Sequence, residues 1–185
     1  MNLIASHDIL RPVTVFGEAP YNEHMTEREQ VTFKLDAEAE KLGKARLKMA
    51  ALWQMTYPGV PCVYYGDEAG LEGYRDPFNR ACYPWGREDK ELVEWHSKLG
   101  KLRESCSALW DGEFIDAYAY GKRLAYIRHD KETALYCTFN MYDEEVVIDP
   151  PPGYTNAKVL FGSRYENQKL YVKPLSCEFL LVDLK

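Results

Sequence analysis

The chain has 185 residues, 46% of them hydrophobic and 28% charged, which is globular composition and excludes a disordered polymer. Its 23 Lys and Arg against 29 Asp and Glu leave a net charge of −6, so it carries no basic field for a nucleic-acid backbone. Apolar runs such as Met49 to Trp53 and Gly59 to Tyr65 fall far short of the roughly 18 residues that span a bilayer, so neither nucleic acid nor membrane is an expected partner.

Aromatic residues make up 14% of the chain, with 14 Tyr and 4 Trp, which suits either a tyrosine-rich β core or a surface that stacks on ring-shaped ligands. Cys62, Cys82, Cys106, Cys137 and Cys177 show no CxxC spacing, and an odd count cannot close entirely into internal pairs. Reduced thiols and a cytoplasmic setting are expected. His7, His24, His96 and His129 show no metal-ligand spacing, so no metal and no cofactor are expected. No basic stretch precedes an apolar one at the start, which gives no signal peptide; the opening run instead reads as the middle of a domain.

Residues 1–5 read as the end of a buried strand that delivers Ser6, His7 and Asp8 to its carboxyl end. From Gly17 to Leu42 the chain turns polar, with Pro20, Asn22, His24 and the run Thr26-Glu27-Arg28-Glu29, a long excursion with room for a helical turn. Ala45, Met49, Leu52 and Trp53 recur at helical spacing within 44–55 and predict a nearly buried helix that stops before Pro58. Gly59 to Tyr65 then reads as a strand buried on both faces, as in a parallel sheet covered by helices. Gly66 to Trp85 is a second long loop, and Leu92, Trp95, Leu99 and Leu102 predict an amphipathic helix ending near Ser105.

After about Ala108 the pattern changes to short runs rich in Tyr, Val, Phe and Leu, at 114–120, 124–128, 134–140, 145–149, 158–161, 169–172 and 178–184. Turn formers separate them, and the spacing suits an antiparallel β-sandwich. The expected division is therefore an α/β piece over 1–108 and an all-β domain over 109–185.

Two carboxylates flanking the bond are the usual requirement for glycoside hydrolysis, and Asp8 beside His7 at a strand's carboxyl end is one acidic candidate. By pattern alone the dyad also suits a simple turn cap. Asp67 and Glu68 are a poor local pair, because adjacent residues on an extended strand point to opposite faces. Tyr64 and Tyr65 read as core residues, while Tyr74 and Trp85 are the better candidates for stacking on a sugar ring.

Three motifs, in order, resemble the α-amylase family of glycoside hydrolases, especially its neopullulanase and cyclomaltodextrinase branch. Asn2-Leu3-Ile4-Ala5-Ser6-His7-Asp8 with Arg11 looks like the end of the seventh barrel strand, although Ile9-Leu10 departs from the usual form. Tyr57 to Glu68 resembles the eighth strand and its exit, and Asp76-Pro77-Phe78-Asn79-Arg80 with Pro84-Trp85 resembles the following loop. The resemblance implies the last strand–helix units of a (β/α)8 TIM barrel followed by a C-terminal β-sandwich.

It further implies that Asp8 stabilises the oxocarbenium-like transition state, that His7 hydrogen-bonds sugar hydroxyls, and that Asp76 and Arg80 bind the glycone side of an α-glucan. The family's nucleophile and acid/base would lie upstream of Met1. The expected parent hydrolyses α-glucosidic bonds in maltodextrins, cyclodextrins or pullulan with retention, and this chain alone is expected to be inactive. A stand-alone carbohydrate-binding module and one chain of a split enzyme are the alternatives. Self-association through exposed barrel faces is expected.

Overall fold

A computed structural model describes residues 1–20, 24–154 and 157–184; Asn22, in the expected polar excursion, lies outside these residues. The chain divides into two compact units, Met1–Gln54 with Val60–Leu99, and Met55–Gly59 with Gly100–Lys185.

In the first unit, β1 (Asn2–Leu3) pairs in parallel with β2 (Pro61–Cys62), in the register Asn2 to Pro61 and Leu3 to Cys62. The buried Gln54 amide clamps this pair, donating to the carbonyls of Asn2 at 3.0 Å and Cys62 at 2.8 Å. The short α1 (Pro12–Phe16) starts on proline, whose missing N–H costs nothing at a helix's first position. A helix α2 (Glu27–Thr32) lies inside the expected excursion, where Thr26 and Glu29 form a reciprocal capping box.

The long α3 (Ala37–Thr56) begins earlier than the apolar spacing predicts, because Asp36 accepts the free amides of Glu38 and Ala39. Met49 and Leu52 of the predicted face are buried, while Ala45 and Trp53 are half-buried. Gly43 lets α1 approach closely, since a side chain there would meet the Val13 carbonyl. Asp89 caps α4 (Lys90–Ser105), and its Leu92 joins Val13 and Leu47 in the unit's apolar cluster.

The expected strand over 59–65 contracts to two residues. Beyond Cys62 the backbone turns at 65–70, with Gly66 at φ +87°, and Val60 is 68% exposed. Its apolar side chains have only β1 beside them among the described strands. They are therefore not buried on both faces.

The second unit holds two antiparallel sheets. The larger has the order β3-β4-β5-β10-β7, formed by Glu113–Tyr120, Arg123–His129, Thr133–Asn140, Ser176–Asp183 and Lys158–Val159. The smaller has the order β6-β9-β8, formed by Val146–Ile148, Lys169–Val172 and Arg164–Glu166. Tyr136 and Leu180 from the first sheet share one apolar cluster with Val146, Ile148, Leu170 and Val172 from the second.

Strand β8 lies where no strand is predicted. Its hairpin to β9 turns through Asn167 and Gln168, both with positive φ, in the conformation that short hairpins use and that Asn-Gly usually signals. Met55–Gly59 belongs to this unit because Arg128 donates to the Thr56 carbonyl at 2.9 Å and the Thr56 hydroxyl meets that of Tyr126 at 2.6 Å.

One buried carboxylate organises residues 160–163. Glu178 Oε1 accepts from the amides of Leu160, Phe161 and Phe179, and Oε2 accepts from Ser163 at 2.8 Å. Glu178→Gln keeps the shape but turns an amide donor toward backbone donors. It should cost about 1–3 kcal/mol of stability, read as a lower urea midpoint at unchanged slope.

Candidate functional site

At the carboxyl end of β1, residues 7–8 form a turn. The His7 and Asp8 side chains are 59% and 71% exposed and meet at 3.2 Å from Nε2 to Oδ1. Locally, the turn is held by the Asp8 amide donating to the Ser6 hydroxyl at 3.2 Å. Its remaining anchors come from the second long loop.

The fully buried Asn79 points its amide nitrogen at three carbonyls of this turn, Ile9 at 2.7 Å, His7 at 2.8 Å and Ser6 at 3.4 Å. Its own backbone carbonyl accepts from Arg11 Nε at 2.7 Å. Arg11, also fully buried, donates through Nη1 to the Tyr65 carbonyl at 2.6 Å and to Asp67 Oδ1 at 2.9 Å. Its guanidinium lies 4.3 Å from the ring centre of Tyr64 and 4.8 Å from that of Tyr65, both favourable cation–π distances.

Tyr64 and Tyr65 are thus partners of a buried cation rather than core strand residues, and Tyr65 is exposed. Asp67 and Glu68 lie in a turn, not on an extended strand, so a different reason keeps them apart. Asp67 faces Arg11, while Glu68 accepts its neighbour Gly66's amide.

Backbone bonds complete the lacing. The Arg11 amide donates to the Gly73 carbonyl at 2.9 Å, and the Gly73 amide donates to the Thr14 hydroxyl at 2.9 Å. Gly73 is required here because a Cβ would sit 2.5 Å from the Phe78 carbonyl oxygen. In the turn at 76–79, Asp76 and Arg80 form a half-exposed ion pair at 2.6 Å. Arg80 also lines a cleft of about 250 Å³ with Phe33, Lys34, Glu72 and Phe78.

The two stacking candidates part company. Trp85 is 80% exposed and leans against the Tyr83 ring, with centroids 4.5 Å apart. Tyr74 is a correction: it is fully buried, its hydroxyl donates to the Pro20 carbonyl at 2.6 Å, and its ring packs edge-on against Phe33. Its full burial leaves no ring face open to a sugar.

Chemically, the exposed corner offers one imidazole and one carboxylate able to bond hydroxyls. Among the described residues, no three His, Cys, Asp or Glu side chains converge as a metal site would require. No helix among them is long and apolar enough to cross a membrane. Sequence reasoning missed the supporting parts, Asn79 and Asp67. No local sequence pattern marks them: they answer the need of the buried Arg11 guanidinium for acceptors, and that burial is visible only in the fold.

The family model described as alpha amylase, catalytic domain, matches residues 2–134, and the chain belongs to that family. It is 41% identical over 130 residues to an amylopullulanase of Thermoanaerobacter thermohydrosulfuricus, covering 67% of this chain and 8% of that protein. Against a cyclomaltodextrinase of Geobacillus thermopakistaniensis it is 32% identical over 172 residues, covering 89% of this chain and 25% of the relative. The chain therefore spans a quarter or less of these relatives. A type III pullulan hydrolase from Thermococcus kodakarensis shares the fold over 96% of this chain and 28% of its own, with a TM-score of 0.73 at 22% identity.

Burial pushes the Asp67 carboxyl from 3.8 up to about 6, against the pull of the Arg11 hydrogen bond and charge. The folded chain holds this proton more tightly than the unfolded one. The stability contributed by protonation is full below 3.8 and is lost as pH rises through about 6. Asp67→Asn should flatten this part of the stability–pH curve, a span on the order of 3 kcal/mol, in urea unfolding at successive pH values.

Proposed function

We propose that this chain is the carboxyl-terminal part of a retaining α-glucanase, comprising the last strand–helix units of a (β/α)8 barrel up to about residue 108 and a β-sandwich from 109. The observation that carries the reading is the exposed His7–Asp8 turn at the carboxyl end of a parallel strand, where barrel enzymes build their sites. Family membership and likeness to amylopullulanases and cyclomaltodextrinases support α-glucans such as pullulan, maltodextrins and cyclodextrins as the substrate class.

In this reading Asp8 strengthens its hold on the sugar as positive charge develops at the reacting carbon, and His7 bonds the ring hydroxyls. Both groups reach solvent, as contact with substrate demands. Asp76 accepts from and Arg80 donates to hydroxyls on the glycone side, and Trp85 supplies a stacking face. Retention needs a nucleophile and an acid/base at about 5–5.5 Å across the bond, and the reading assigns both to segments outside this chain. The exposed Leu3 of β1 and the exposed Val60 and Val63 flanking β2 offer the surface on which those segments, or a second copy of this chain, would pack. The compartment we propose is the cytoplasm.

In the complete enzyme, Asp8→Asn should lower kcat by about 10²–10³-fold with folding retained, read by reducing-sugar release and circular dichroism. The 185-residue chain alone should release none; turnover by it that Asp8→Asn abolishes would overturn the reading.

Replacing Asp76 or Arg80 with Ala should raise KM by about tenfold with kcat little changed, as loss of uniform binding does. Unchanged KM across maltooligosaccharides of several lengths would return the pair to a surface turn.

A further inference from the structure

We infer that Asn79, oriented by Arg11, is a positioning residue that sets where Asp8 and His7 stand relative to the Asp76–Arg80 pair; this rests on the function proposed above. The His7 and Asp8 side chains project into solvent, so packing does not fix them. Their placement is inherited from the backbone of the turn, and an exposed turn held by one local hydrogen bond is soft. Asn79 supplies the missing constraint. Its amide nitrogen contacts the carbonyls of His7 and Ile9, one on each side of Asp8, at 2.8 and 2.7 Å.

The same residue sits inside the turn that carries the other two groups, between Asp76 and Arg80 in sequence. A single buried side chain therefore ties two exposed polar pairs to a fixed spacing. Arg11 holds Asn79 in turn, bonding its carbonyl through Nε while Nη1 is committed to Tyr65 and Asp67. Lysine could keep the charge beside Asp67 but not this divergent fork. Misplacing a reacting constellation by 1 Å can cost about 10²-fold in rate, so the anchor's effect is expected in kcat.

The test uses the complete enzyme and an aryl maltoside as probe. Asn79→Asp, an isostere that turns an oxygen toward the carbonyls, and Arg11→Lys are each made alone and in the Asp8→Asn background. Thermal unfolding identifies the folded variants, and Arg11→Lys carries the test if Asn79→Asp does not fold. The single changes should lower kcat about 10²-fold with little change in KM. In the Asp8→Asn background they should cost no more than about 3-fold, because the charged group they position no longer acts and only the placement of His7 is left to lose.

Full multiplication of the losses would mark a general structural role and overturn the inference. A folded single variant with wild-type kcat would also overturn it, while a loss of about 10²–10³-fold in Asp8→Asn would leave the proposed function standing. Wild-type turnover by Asp8→Asn would instead overturn the proposed function itself, and the positioning role with it.

Discussion

The first unit depends on burying one guanidinium. Taking a charge out of water costs several kcal/mol, a cost offset only when geometry and hydrogen bonding are both good. Arg11 finds a carboxylate, two backbone carbonyls and two aromatic faces. All of them come from residues 64–79, which form no helix or strand. The cation thus gives that irregular segment a shape it could not hold by backbone pairing. At Asp67 dehydration outweighs the attraction of its partner, which raises its proton affinity.

The second unit applies the same principle with other side chains. Glu178 gathers four backbone donors, while Asn140 donates to the carbonyls of Glu144, Val172 and Lys173 and accepts from the Tyr142 amide. In each case one buried polar side chain closes a loop whose own backbone groups would otherwise lack partners. Such a group is costly to alter because removing one side strands several others. Apolar burial makes the core of each unit, and these clasps determine the course of the connecting chain.

Periodic elements were legible in the sequence. Leu92, Trp95, Leu99 and Leu102 marked α4 because a helix buries residues at that spacing, and short runs rich in Tyr, Val, Phe and Leu between turn formers marked most strands. Capping and turn chemistry were less visible. Asp36 extended α3 upstream of its apolar face, and Asn167-Gln168 made a hairpin without the glycine that advertises one. The two-residue β2 failed differently: an apolar run states that burial is available, not which neighbour supplies it. At the site, exposed groups could be found by chemical type, whereas Asn79 acts through carbonyls about 70 residues away in sequence, a closure no local pattern encodes.

The division of labour between exposed and buried polar groups bears on the chemistry proposed. A residue that must bond substrate cannot be saturated by protein partners, so His7 and Asp8 stand open to solvent. Open side chains lose precision to rotamer freedom, and a transition state that differs from the ground state by fractions of an ångström rewards precision. The structure meets both demands by placing fully buried anchoring groups one layer beneath. Asn79 Nδ2 bonds the backbone of the turn and Arg11 Nε bonds the Asn79 carbonyl, which ties down the main chain of the corner above them and leaves its tips free. Under the proposed reading this suits residues that stabilise developing charge rather than transfer protons, since charge stabilisation depends on where a group stands and needs no change in its own protonation state.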